Sequence, residues 1–283
     1  MRTVELTGTV VEQKAIISKF LERTIIVDLY LPRERASYSD MSLLLINDGQ
    51  DLPKMNFASI LDQLQVSNSI QPLLCVGIHA GLDRKNEYGT AQILDFEGRG
   101  AKAGAYTRFV LYELLPLIYQ QFGVKTFKKT GFAGFSLGGL MALDIVWRYP
   151  RIFSIAGVFS GSLWWRTKSL EDDYNDATDR IMHHQIREGE FHSGLSFYFT
   201  TGSLDETADR NNNGIIDSID DTLDLIGELK AKGYTEGDKI EYVNYEDGRH
   251  DVATWGRSMP EFLRWGWGSS LWSGVGKIDY IQK

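Results

Sequence analysis

Along the first third of the chain, apolar residues come in short runs rather than at helical spacing. Residues 14–18 and 23–30 carry β-branched side chains and stop at Leu31-Pro32, where proline lacks the N–H that a strand ladder needs. Residues 41–46 and 73–79 are apolar without alternation, the pattern of strands buried on both faces. Between them, residues 56–64 have helical spacing. Residues 106–122 predict a strongly amphipathic helix, with Phe109, Leu111, Leu114, Leu115, Ile118 and Tyr119 on one side. From Thr130 onward strand and helix patterns alternate. Strands are predicted at 130–133, 154–159, 196–200 and 239–245, and helices at 137–149, 219–232 and about 259–265. Such alternation predicts an α/β fold with a mostly parallel central sheet and helices on both faces. Residues 165–194 are polar and irregular between two strands, which predicts a cap over a site.

The length of 283 residues, with 43% hydrophobic and 24% charged, suits one large domain that needs no disulfide or metal to build its core. A formal charge of −8 excludes the basic surface that nucleic acid requires. The lone Cys75 lies in an apolar run and reads as a buried strand residue. Neither a secretory leader nor a membrane-spanning run of about 18 apolar residues is visible, so a soluble, cytoplasmic protein is expected. The apolar stretch 271–281 is expected to pack against the rest of the chain.

Gly134-Phe135-Ser136-Leu137-Gly138 follows a predicted strand and opens a predicted helix, the context of a nucleophile elbow. A sharp turn lifts the Ser136 hydroxyl above the sheet, and small neighbours let strand and helix close on each other. The Leu137 N–H at the helix start is the first expected oxyanion donor. A second should come from the loop after an early buried strand. Asn47-Asp48-Gly49-Gln50-Asp51 fits, with Gly49 expected to turn the backbone and the Gln50 N–H to donate.

In this fold the acid and the histidine follow the serine. Of five histidines, His250 alone follows a late strand on a glycine-containing loop, and it is the expected general base. His183, His184 and His192 fall in the polar insertion and are expected to be solvated, while His79 closes a strand. The orienting carboxylate should end the strand before that of His250, which gives Asp205, with Glu206 in reserve. Arg84, Glu87 and Tyr88 sit on a loop at the active-site edge, where either a role at the site or structural ion pairing would account for them. Trp164 and Trp165 follow the strand next to the elbow and could wall a substrate pocket; ordinary packing would also account for them.

These residues resemble the esterase family that includes feruloyl esterases, esterase-D-like enzymes and siderophore esterases. The resemblance runs through Tyr30-Leu31-Pro32, Asn47 to Asp51, Gly134 to Gly139, Ser160-Gly161-Ser162-Leu163-Trp164-Trp165, Gly202-Ser203-Leu204-Asp205, His250-Asp251 and Trp255. It implies a triad of Ser136, Asp205 and His250 acting on a small ester or an esterified carbohydrate. Many relatives carry His-Gly-Gly at the oxyanion loop where this chain does not, but backbone donors survive that change. Because mycolyltransferases are similar too, the resemblance implies acyl transfer more firmly than water as acceptor. A non-catalytic calcium-dependent binding module is the remaining reading.

One motif stands outside this chemistry. Residues 209–220 match an EF-hand loop, with oxygens at Asp209, Asn211, Asn213, Asp217 and Asp220, glycine at Gly214, and the Ile215 carbonyl available. Asp220 stands where an EF-hand has glutamate, and the preceding segment does not read as a helix. A structural Ca²⁺ is the expected ligand, with a polar turn capping the next helix as the other reading.

Overall fold

A computed structural model describes residues 8–32 and 38–269; the stretch 271–281 lies outside them. Eight strands form one sheet in the order β1-β2-β4-β3-β5-β6-β7-β8. They are β1 (Val10–Ser18), β2 (Arg23–Leu31), β3 (Ser42–Asn47), β4 (Leu73–Ile78), β5 (Thr130–Phe135), β6 (Ile155–Phe159), β7 (Ser196–Leu204) and β8 (Ile240–Arg249). β2 runs antiparallel to both its neighbours, and from β4 to β8 every pairing is parallel. All residues of β3, β4, β5 and β6 are buried, as their unbroken apolar runs require of strands covered on both faces. After β3 the chain crosses to β4 on one side, and β5 lies on the other. That reversal opens a crevice at the carboxyl ends of β3 and β5.

Helices cover both faces. α1 (Phe57–Val66) and α9 (Val252–Trp267) bury Phe57, Leu61, Phe262 and Trp267 on one side. On the other lie α3 (Ala103–Phe109), α4 (Leu115–Phe122), α5 (Leu137–Arg148), α7 (Ile181–Glu188) and α8 (Asp217–Lys232). The short α2 (Arg84–Glu87) and α6 (Asp176–Asp179) lie in loops. α3 and α4 are joined by a wide π turn, Val110–Leu114. Pro116 follows it, with no N–H to return to the Tyr112 carbonyl. Among the described residues no helix is long and apolar enough to cross a membrane.

α5, which starts directly after Ser136, is buried from Leu137 to Trp147. Its one charged residue in that span, Asp144, is paired: it accepts from Ala91 N at 3.1 Å and Gln185 Nε2 at 2.9 Å. Burial pushes its carboxyl above the ordinary value, against the pull of Gln185 and Arg148. The elbow helix is thereby tied to both the loop after β4 and α7.

Three expectations fail here. Residues 165–194 are not irregular throughout: α7 packs Ile181, Met182 and Ile186 into the core beside α8. His183 on the same helix face is buried, not solvated, with Nε2 2.8 Å from the Asp221 carbonyl. The terminal helix begins at Val252, well before residue 259, because the Asp251 side chain caps it by accepting from Thr254 N at 2.9 Å.

The buried His183 has a consequence for acid stability. Burial, followed by the Arg180 cation, lowers its pKa to about 3. The folded value lies below that of the unfolded chain. Between these values the unfolded chain therefore binds a proton the native one refuses, and stability falls as pH falls. The expected slope is about 1.4 kcal/mol per pH unit once the unfolded histidine is charged. Melting curves from pH 7 to 5 should fall less steeply for His183→Gln than for the wild type; parallel curves would contradict this.

Candidate active site

The elbow is built by steric necessity. Ser136 follows β5 with φ 54° and ψ −123°, a conformation that non-glycine residues rarely adopt. The turn brings β5 and α5 so close that a Cβ on Gly134 would lie 2.3 Å from the Gly138 carbonyl oxygen, and the loop after β3 lies so close that one on Gly138 would be 2.5 Å from Asp48 Oδ2. The Ser136 N–H donates to the Phe159 carbonyl at 2.8 Å, which anchors the strained residue to β6. Its carbonyl accepts from Gly139 N at 3.0 Å and Leu140 N at 3.2 Å, the first bonds of α5. The N–H groups of Leu137 and Gly138 precede those bonds, leaving donors at the helix start for a developing anion.

The loop after β3, where the second oxyanion donor is expected, is held from several sides. Asn47 Nδ2 donates to the Gly138 carbonyl at 2.8 Å, and Tyr106 Oη donates to Asn47 Oδ1 at 2.5 Å. The left-handed residue of this loop is Asp48, at φ 59°, not Gly49. Gly49 is required for another reason: a Cβ there would come within 2.4 Å of the Gly77 carbonyl carbon on β4. The short 3₁₀ turn Gly49–Met55 starts its hydrogen bonding with Asp51 N donating to the Asp48 carbonyl at 2.9 Å. The Gln50 N–H stands before that first bond. Its side-chain Oε1 accepts from Ala80 N at 3.0 Å, pinning the residue to the loop after β4.

Asp48 and Arg84 form a feature the sequence did not reveal. The buried Asp48 receives Arg84 in a two-pronged pair, Nε to Oδ1 and Nη2 to Oδ2, both at 2.7 Å. Nη2 also donates to the Phe135 carbonyl at 3.3 Å, and the guanidinium lies 5.1 Å from the Tyr88 ring centre. This cation therefore braces Phe135, the residue before Ser136, against the loop after β3. Glu87 is engaged by Arg23, with Nη2 2.5 Å from Oε2. Ion pairing thus accounts for both Arg84 and Glu87.

His250 follows β8 and opens to solvent on one side. Its pKa is lowered first by partial burial. Asp205 opposes that shift, Arg84 reinforces it, and Asp251 opposes it. Asp205 follows β7; its Oδ2 accepts from Gly202 N at 3.0 Å, and its buried Oδ1 has no partner among the described residues. Glu206 points its chemistry elsewhere, toward the Ser218 amide at the start of α8. Burial raises its pKa, and the charges of Asp217, Asp221 and Asp205 add to the rise. Ser136 Oγ lies 3.3 Å from Ser162 Oγ, and no hydrogen bond from Ser136 to His250 is closed.

The two tryptophans, with ring centres 5.8 Å apart, differ in burial. Trp165 is fully buried, its ring against Gly89 and Gly100, so it belongs to the core and not to a pocket wall. Trp164 keeps part of its surface open, with the Arg99 guanidinium 5.1 Å and that of Arg166 6.0 Å from its ring centre.

In the loop 209–220, Asp209 accepts from Asn213 N at 3.1 Å and Gly214 N at 2.9 Å. Asp220 Oδ2 lies 2.9 Å from Asn211 Nδ2 and 2.7 Å from Asn213 Nδ2. Asp217 is committed to Arg210, accepting from its backbone N at 2.9 Å and pairing with its Nη1 at 3.1 Å. Ile215 donates its N–H to Asn213 Oδ1 at 2.8 Å. Among the described residues no group of three or more His, Cys, Asp or Glu is arranged to hold a metal ion.

The family model described as Putative esterase matches residues 18–265. A relative in Bacillus subtilis (strain 168), Uncharacterized protein YbbA, is 26% identical over 239 residues, covering 82% of this chain and 85% of its own. The enterobactin esterase FES from Shigella flexneri superposes with a TM-score of 0.67 at 20% identity, over 90% of this chain and 58% of that one. This chain thus spans little more than half of that esterase. An IroE-like serine hydrolase from Shewanella oneidensis gives 0.66 at 22% identity, covering 90% and 79%. The siderophore hydrolase EstB from Aspergillus nidulans gives 0.65 at 18%, covering 93% and 97%. With the elbow, the strand order and a match over most of its length, the chain belongs to this esterase family and has the α/β-hydrolase fold.

Proposed function

We propose that the protein cleaves esters through an acyl-enzyme on Ser136, with His250 as general base and Asp205 as the carboxylate that orients it. The observation that carries this reading is the strained Ser136 at the carboxyl end of β5, with the first amides of α5 beside its hydroxyl. His250 takes the proton as Ser136 Oγ attacks the ester carbonyl. The oxyanion that forms meets the N–H groups of Leu137 and Gln50. Collapse expels the alcohol, which takes its proton from His250, and water repeats the cycle to release the acid.

An aromatic or carbohydrate-linked ester suits the part-open Trp164 and the cations beside it. Solved structures of similar fold include enterobactin esterases and a ferulic acid esterase, which supports feruloyl-type or siderophore esters as the class to try. The test is hydrolysis of methyl ferulate beside p-nitrophenyl acetate, with an alcohol acceptor added in competition. A higher kcat/KM on the ferulate, with free acid as main product, supports the reading. Dominant transfer to the alcohol would instead make the protein an acyltransferase with the same triad.

We further propose that residues 209–220 bind a structural Ca²⁺ through Asp209, Asn211, Asn213, Asp220 and the Ile215 carbonyl, with Asp217 leaving Arg210 to join them. Support comes from the wrapping of the loop around Asp209 and the approach of Asp220 to both asparagine side chains. An ion there would pin the segment after Asp205. Calcium at about a hundred times its Kd should add about 2.7 kcal/mol and raise Tm by several degrees, reversed by chelation. An unchanged Tm removes the ion from the account.

A further inference from the structure

Trp255 touches His250, Phe135 and Ser160, three residues around the site. It lies on α9, five residues past His250, and is nearly buried. Its ring meets the His250 imidazole edge-on, with centres 5.2 Å apart and planes at 81°. The other side stacks on Phe135, the residue before the nucleophile, at 5.1 Å and 20°. Its Nε1–H donates to Ser160 Oγ at 3.1 Å. Ser160 itself is held in an unusual backbone state, φ 45°, with its N–H donating to the Thr200 carbonyl at 2.8 Å. Two residues on, Ser162 N donates to the Ser136 carbonyl at 3.1 Å. One indole thus joins the histidine loop to the carboxyl ends of β5 and β6.

We propose that Trp255 is a positioning residue that sets the His250 ring against the nucleophile strand, with Ser160 as the hydroxyl that fixes the indole. The proposal rests on His250 being the general base. The physical reason is mobility. His250 sits on a loop between β8 and α9, and an imidazole free to change rotamer would spend little time aimed at Ser136. A rigid aromatic wall, itself stacked and hydrogen-bonded, removes those alternatives and dries one face of the imidazole. The charged groups facing His250 are Asp205 after β7, Arg84 on α2 and Asp251 in its own loop; all three stay when Trp255 is replaced.

The test compares wild type, Trp255→Phe, Trp255→Leu and Ser160→Ala in two measurements. One is the NMR titration of the His250 imidazole in the full chain. The other is the pH dependence of kcat/KM on p-nitrophenyl acetate. Trp255→Leu should lower kcat/KM roughly 10- to 100-fold at neutral pH. It should also raise the His250 midpoint toward the ordinary imidazole value of about 6.5, because the rehydrated ring accepts a proton more readily. The loss should therefore be greater at pH 5.5 than at pH 7.5. Trp255→Phe keeps the wall and should recover most of the rate. Ser160→Ala should shift both readouts in the same direction by less, and it decides the matter if the leucine variant does not fold. An unmoved His250 midpoint, with a rate loss equal at every pH and no recovery by phenylalanine, would overturn the proposal. If the wild type hydrolyses no ester, the catalytic reading fails on its own, while the titration still shows whether Trp255 governs the imidazole.

Discussion

Ser136→Ala is expected to lower kcat for ester hydrolysis by at least ~10⁴-fold while leaving the melting temperature close to that of the wild type. Where nucleophile, base and acid act as a unit, removing the nucleophile costs about as much as removing all three, and only the remaining donors and binding still act. The hydroxyl makes one close contact, 3.3 Å to Ser162 Oγ, so its loss disturbs little packing. Alanine must still adopt the φ of 54° that serine tolerates here, a strain common to both residues. Steady-state rates and melting curves on the same preparation separate the two effects. A variant that keeps more than a hundredth of the wild-type rate, with the fold intact, would mean that another group attacks the ester.

The second large effect divides two neighbouring carboxylates. Asp205→Asn should reduce kcat by about 10⁴-fold, the loss seen when an orienting aspartate becomes an amide and the histidine takes the wrong tautomer. Glu206→Gln should stay within a few-fold of wild type. Asp205 acts on His250 and keeps a buried oxygen open, whereas Glu206 is drawn to the Ser218 amide beside other carboxylates. The amide at residue 206 should even stabilise the fold at neutral pH, since it ends the repulsion with Asp217 and Asp221. Equal losses in both variants, or a larger loss at Glu206, would reverse the assignment.

The parts of this site legible in the sequence are those fixed by local pattern. Four apolar strand runs, a serine between small residues where strand turns to helix, and a histidine after a late strand all announce themselves within a few positions. The braces do not. Asp48 and Arg84 are 36 residues apart, and Trp255 and Ser160 are 95 apart; nothing nearby in sequence says that either pair meets. Each pairing follows from the parallel sheet, which gathers the ends of distant strands at one edge. Other misses came from reading polarity as exposure. His183 lies in a charged stretch, yet helical periodicity turns it inward with Ile186. Asp251, in a polar loop beside His250, is the cap that starts α9. Trp165 follows Trp164 directly, and the chain's direction sends one ring to the core and the other to the rim.

The central claim, that Ser136 is an activated nucleophile, is tested most directly by fluorophosphonate labelling read by intact mass and peptide mapping. The account predicts one adduct per chain, located on Ser136, absent in Ser136→Ala and much slower to form in His250→Ala. No adduct on the folded wild type, or an adduct mapped to Ser162 or another residue, would contradict it.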